Sequence, residues 1–341
     1  MPVPDIVEGG ADAAGGRGAD AWTGFRAAPA HGGDAGVLVL SGSSGRIEEE
    51  RCRLLAREGL AALSIRWFGG PGQPPGICEV PLETFGSALD RLRAEGARRI
   101  SVLGVSKGAE AALHLSVLQP GIDAVVALSP TSLTWANIGP GRDGSTTPHR
   151  SSWTWRGQPL PFVPFDTGWT ASEPAGAPVS VLGWYEQSVR ARPDRVTAAA
   201  IPVERSAAEL VLVAGGDDLM WPSLRYAREL AARRRAAGLP VRLVTRADAG
   251  HRPRLPGEGI APASGTFRHG GSPAADAALG AAAWPHIRRA LLGPRPGTGR
   301  PRRPPVRTPR QPPVRTPRRP PPVRTPRSRR PGPRRSLPST P

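Results

Sequence analysis

From residue 35 onward, short apolar runs alternate with longer amphipathic stretches. Residues 37–40 read VLVL, a run without polar interruption, as expected of a strand buried on both faces. Residues 47–58 predict a helix, with Glu48, Glu49 and Glu50 in the first turn, where the macrodipole favours acids, and Gly59 placed to end it. The alternation continues with a strand at 60–65, a helix at 82–95 stopped by Gly96, a strand at 100–103, a helix at 107–119 and a strand at 124–128. It resumes with a strand at 210–214, a helix at 223–237, a strand at 241–245 and a helix at 274–292. Apolar strands separated by amphipathic helices predict an α/β architecture: a mostly parallel sheet with helices on both faces.

Three segments stand outside this rhythm. Residues 1–34 are rich in Gly, Ala and Asp and show no lasting periodicity, which predicts a flexible lead-in with Trp22 and Phe25 docking on the body. Residues 129–206 interrupt the alternation with many Pro and Gly, yet hold five of the nine tryptophans (Trp135, Trp153, Trp155, Trp169, Trp184) beside Phe162 and Phe165. That aromatic content argues against disorder and leaves two readings. The segment either packs on its own aromatics or forms a cap-like insertion that binds substrate, with Trp135 and Trp155 as pocket residues. Residues 294–341 repeat PPVRTPR at 304–310, 312–318 and 321–327. Pro removes backbone donors and like charges repel, so this segment is expected to be a disordered, extended tail. The catalytic domain is therefore expected at 35–293.

Charge follows the same division. The tail holds 15 Arg and no acid, so of the formal net charge of +18 only about +3 belongs to residues 1–293. The body is close to neutral, so the basic average is no evidence that the folded part binds nucleic acid, and any weak binding of nucleic acid or acidic partners is assigned to the tail. Cys52 and Cys78 show neither C-x-x-C nor zinc-ligand spacing, which points away from disulfides and metal. The first residues lack a signal-peptide pattern and no run approaches a membrane span, so a cytoplasmic location is expected. No residue pattern calls for a cofactor.

The candidate chemistry begins at Gly104-Val105-Ser106-Lys107-Gly108, a G-x-S-x-G motif. Alone it says little in a chain with 42 glycines. Between an apolar strand and an amphipathic helix, it marks a nucleophile elbow whose tight turn has no room for side chains at Gly104 and Gly108. A serine hydroxyl needs a base, and in this architecture the order is Ser, acid, His. Beyond the strand at 210–214 lie Asp217 and Asp218. Asp218 has the G-x-x-D spacing from Gly215, and Asp217 is its alternative. His251 follows the strand at 241–245 and is the one of six histidines with the right order. The oxyanion needs two N–H donors, expected from Lys107 and from Ser43 in the Ser41–Gly45 loop, which has an H-G-x-x-G shape with Ser for His. Lys107 is the only lysine, and its side chain either sets a positive charge near the site or is solvated.

The segments LVLSGSSG, IRWFGGPGQPPG, GVSKGAEAAL, ALSPTS, GGDDLMWPS, DAGHRP and HGGSP, with AW in the last helix, resemble in order the C-terminal catalytic domain of acyl-CoA thioesterases and bile acid-CoA:amino acid N-acyltransferases, over about residues 35–292. The resemblance implies an α/β-hydrolase fold and a serine hydrolase cleaving an acyl thioester, with acyl-CoA as the small-molecule substrate. Ser106, Asp218 and His251 then take the triad roles. Conjugating members use Cys as nucleophile, whereas Ser, as here, implies hydrolysis. Residues 1–34 are too short for the N-terminal β-sandwich of those proteins. Two rival readings stay open: a carboxylester or dienelactone-type hydrolase acting on an acyl ester, and a non-catalytic scaffold whose tail recruits partners.

Overall fold

The structure, a computed structural model, describes residues 5–12 and 22–294. The expected tail beyond 294 lies outside the described residues, as does much of the expected lead-in. The first half runs β1 (Ile6–Asp12), β2 (Thr23–Pro29), β3 (Ala35–Leu40), α1 (Glu49–Arg57), β4 (Ala61–Ile65), β5 (Val80–Pro81), α2 (Glu83–Ala94), β6 (Arg99–Val105), α3 (Lys107–Leu118) and β7 (Ala124–Leu128). The second half adds β8 (Trp153–Trp155), β9 (Gln158–Pro159), α4 (Leu182–Ala191), α5 (Pro193–Ala199), β10 (Glu209–Gly215), α6 (Ser223–Ala236), β11 (Val241–Arg246) and α7 (Pro273–Leu292).

Eight strands form one sheet in the order β1-β2-β4-β3-β6-β7-β10-β11. The six from β4 to β11 are parallel. Each of the central strands is apolar on both faces, and successive side chains feed different cores. Leu38 and Leu40 of β3 pack with Leu89 of α2, Leu113 of α3 and Leu230 of α6. Val37 and Val39 pack with Leu55 of α1 and Leu279 and Ile287 of α7. Two helical layers therefore sandwich the sheet, which is why these strands lack polar alternation.

The described residues among the first 34 depart from the expected loose lead-in. β2 pairs antiparallel with β4, and β1 with β2, extending the sheet by two antiparallel strands. Trp22 is buried and donates its indole N–H to Ser87 Oγ at 2.8 Å, and Phe25 is buried on the other face. Arg26 is paired with Glu95. The sequence signal is weak because IVEGGAD and TGFRAAP are small, polar and Gly-containing. Pairing with the open edge of β4, more than their own propensity, holds these strands in place.

The insertion at 129–206 is more regular than its Pro and Gly content predicts. β8 pairs with β5 and β9 in a three-stranded sheet, and α4 and α5 follow. A third core forms here, where Trp135 stacks on Phe165 at 5.6 Å and Phe165 on Trp184 at 4.2 Å, with Tyr185 and Trp221 edge-on. Arg234 of α6, fully buried, staples the end of the insertion by donating to the carbonyls of Val203, Ser206, Ala208 and Pro240. Among the described residues no helix is long and apolar enough to cross a membrane.

His114 of α3 sits under the insertion with Nε2 bonded to Thr134 Oγ1 at 2.9 Å. Burial, and then the Lys107 charge, push its pKa from 6.5 down to about 3. As pH falls below 6.5 the unfolded chain gains a proton there that the native chain refuses, so stability drops until the pH reaches about 3. Urea midpoints measured at pH 7 and pH 4 are expected to fall, and to fall less in His114→Gln. Equal falls in the two proteins would contradict this role.

Candidate active site

Ser106 stands between β6 and α3 with φ 55° and ψ −120°, a conformation an L-residue rarely adopts. The neighbours enforce it. The Ser106 amide is held by the Leu128 carbonyl of β7 at 3.0 Å, and its own carbonyl accepts the first helical bonds, from Ala109 and Glu110. A Cβ on Gly104 would overlap the Gly108 carbonyl, and one on Gly108 the Ser41 and Leu40 carbonyls. The elbow and the loop after β3 are thus pressed backbone to backbone. A Cβ on Gly42 would lie 3.2 Å from Ser106 Cβ, so this loop borders the hydroxyl. Ser43 is exposed in the Gly42–Gly45 turn, whose N–H···O bond is 3.2 Å. The Lys107 amide opens α3, where an N–H has no intrahelical acceptor.

Because β6, β10 and β11 are parallel, the loops leaving their carboxyl ends emerge at one edge of the sheet. Ser106, Asp218 and His251 lie on these loops. Asp218 and His251 are buried and meet directly, Nδ1 to Oδ2 at 2.8 Å. The other Asp218 oxygen accepts the amides of Met220 at 2.9 Å and Trp221 at 3.3 Å, which fixes the carboxylate. Asp217 is exposed and its carboxylate takes the Gly271 amide at 2.7 Å instead, so the two adjacent acids hold different ends of the β11–α7 connection. The His251 carbonyl accepts from Ser129 Oγ at 2.9 Å, one residue beyond the strand that holds the Ser106 amide. Trp221 stands edge-on to the imidazole at 5.7 Å and donates its indole N–H to the Ser129 carbonyl.

Three features were not anticipated from the sequence. Asp276, in the first turn of α7, accepts the Gly250 amide at 2.7 Å and so anchors the turn carrying His251. An acid just after Ser272-Pro273 was the available signal, since Ser272 caps α7 through the Ala275 amide. His269 lies 6.1 Å from His251 between ring centres, and burial, Arg252 and His251 push its pKa down to about 4, which keeps it neutral. The Lys107 side chain is not solvated: it is buried against Glu110 at 2.6 Å.

Of the two expected pocket residues, Trp135 is fully buried, its indole N–H bonded to Thr131 Oγ1 at 3.0 Å. Its ring has no exposed surface and packs against Phe165 and Tyr185, which favours a place in the aromatic core over direct contact with substrate. Trp135→Ala is expected to cost about 3–5 kcal/mol of stability and to lower turnover of long and short acyl chains alike. Selective loss of long chains at unchanged melting temperature would reverse this assignment. Trp155 is half-buried on β8.

A family model described as "BAAT / Acyl-CoA thioester hydrolase C terminal" matches residues 80–291. The chain is 28% identical over 208 residues to acyl-coenzyme A thioesterase 2, mitochondrial, of Homo sapiens, covering 60% of this chain and 39% of that one. It is 26% identical over 227 residues to acyl-coenzyme A amino acid N-acyltransferase 2 of Rattus norvegicus, covering 65% and 50%. The chain thus spans half or less of the length of these curated relatives. Among solved structures, a dienelactone hydrolase-like promiscuous phosphotriesterase from metagenomic libraries superposes with a TM-score of 0.52 at 16% identity, covering 84% of this chain and 97% of that one. An acylaminoacyl peptidase of Pyrococcus horikoshii superposes with a TM-score of 0.52 at 12% identity, covering 88% and 44%. At such identities these likenesses speak for the α/β-hydrolase fold alone. The family model spans more than half of the chain, from the strand before α2 through α7, and on that match the chain belongs to the BAAT / acyl-CoA thioester hydrolase C-terminal family.

Proposed function

We propose that the protein hydrolyses acyl thioesters, with acyl-CoA as the substrate class, through an acyl-Ser106 intermediate. The observation that carries this reading is the buried 2.8 Å contact between His251 Nδ1 and Asp218 at the sheet edge where the elbow presents Ser106. With Nδ1–H donated to Asp218, Nε2 is left basic and takes the Ser106 proton as Oγ attacks the thioester carbonyl. The oxyanion accepts the Lys107 and Ser43 amides. Collapse expels the thiolate, which receives the proton from Nε2. Water then attacks the acyl-serine while His251 takes its proton, and the carboxylic acid leaves with Ser106 restored. An oxygen ester at position 106 is lost to water more readily than it is passed to an amine, which supports hydrolysis over acyl transfer.

Thiol release from a panel of acyl-CoAs, measured beside turnover of simple acyl esters, tests this. Turnover of acyl-CoA is expected, and ester turnover with none of CoA thioesters would favour the carboxylester reading. Trp155 is the expected pocket tryptophan with exposed surface, and Trp155→Ala is expected to weaken long acyl chains more than short ones in the same panel.

A further inference from the structure

The helix that begins at the nucleophile buries a pair of charges. Lys107 is 1% exposed and Glu110, one turn on, is 0% exposed. Lys107 Nζ meets Glu110 Oε2 at 2.6 Å, donates to Ser152 Oγ at 2.8 Å, and lies 5.4 Å from the ring centre of Trp153. Glu110 Oε1 accepts the Trp135 amide at 2.9 Å and the Trp153 indole N–H at 2.8 Å. Ser152 Oγ passes the chain on, donating to the Ala136 carbonyl at 2.8 Å. Glu110 Oε2 is thereby spent on Lys107, while Glu110 Oε1 and the lysine ammonium reach groups within two stretches of the insertion, at 135 and 152–153.

Stability is a poor reason to keep such a pair. Burial raises the Glu110 carboxyl and lowers the Lys107 ammonium, each being driven toward its neutral form, with the mutual contact working against this. Apolar residues of similar volume commonly do as well or better in a core. What directed, charge-assisted bonds supply is orientation. Here they act on the first turn of α3, next to a serine held at φ 55° and on the residue whose amide is the proposed oxyanion donor. Through these bonds the insertion is fastened to that turn.

We propose that Glu110 is a positioning residue, which through the Lys107 side chain and the docked insertion holds the Lys107 amide and Ser106 in their reactive orientation. This rests on the hydrolase reading above. Three proteins test it: the full chain, Glu110→Gln, and the double variant Lys107→Met with Glu110→Met, which removes both charges. Each is assayed for kcat and KM with an acyl-CoA, for the rate of Ser106 labelling by a fluorophosphonate, and for melting temperature. In Glu110→Gln, kcat and the labelling rate are expected to fall tenfold or more while KM moves less than about threefold, because substrate binding in the ground state does not use the oxyanion amides.

The double variant is expected to recover melting temperature but not kcat or labelling. A kcat within twofold of the original in folded Glu110→Gln would overturn the proposal. So would recovery of kcat together with melting temperature in the double variant, which a purely structural pair predicts. If the unaltered chain turns over no acyl-CoA, the functional reading falls, and tenfold slower labelling in both variants still upholds the positioning role. Absence of any Ser106 labelling would sink both.

Discussion

Ser106→Ala is expected to lower kcat for an acyl thioester by on the order of 10³-fold or more, because it removes the acyl-enzyme route and leaves only oxyanion and binding effects. The hydroxyl is the one group at the elbow able to form a covalent acyl intermediate, and the elbow is built around its backbone. Gly104 and Gly108 have no room for side chains, and the Ser106 amide is tied to β7. A methyl group at this position leaves those contacts intact, so folding and melting temperature should hardly change. Ser106→Cys separates hydrolysis from transfer. A thioester intermediate is more open to amines, so this variant should hydrolyse more slowly while gaining some transfer to glycine or taurine. Mass spectrometry of the quenched reaction should find the acyl group on residue 106. Near-original activity in Ser106→Ala, or an intermediate located elsewhere, would remove Ser106 from the mechanism.

Asp218→Asn is expected to cost about 10⁴-fold in kcat, a loss of the size produced by the same exchange in serine-protease triads. The reason is one proton. Asp218 Oδ2 accepts from His251 Nδ1, which keeps Nε2 free to take the serine proton. An amide NH₂ facing Nδ1 makes that nitrogen the acceptor and puts the ring proton on Nε2, where it blocks proton uptake. Asp217→Asn should change kcat by no more than a few-fold, since the amide oxygen can still accept the Gly271 N–H that Asp217 holds now. Measured side by side on the same acyl-CoA, the two variants decide which acid orients His251. The reverse pattern, with Asp217→Asn the crippled protein, would show that the loop rearranges when substrate binds.

Much of this protein is legible along the chain because its signals are local. The VLVL run of β3, the helix-ending glycines and the alternation from 35 to 292 depend on neighbours a few residues away. The G-x-S-x-G turn is similarly local, since Gly104 and Gly108 answer to steric demands made within the same turn and the adjoining strand. Order along the chain also separates His251 from five other histidines. The sequence by itself therefore determined the parallel strands of the sheet, its two helical layers and the positions of the candidate nucleophile, acid loop and base.

Other features depended on partners distant in sequence. β1 and β2 are strands because β4 leaves an open edge, and nothing in IVEGGAD announces that edge. Asp217 and Asp218 are chemically identical neighbours, and only the meeting of the β10 and β11 loops sends one to Gly271 and the other to His251. Trp135 has the composition of a pocket residue, yet Phe165 and Tyr185 enclose it. Lys107 has that of a surface residue, yet Glu110 and Ser152 draw it inside. Exposure and ionic pairing are set by what packs against a side chain, so the tertiary structure alone decided them: the contacts of 107 with 152 and of 110 with 135 exist only after the insertion has closed over α3.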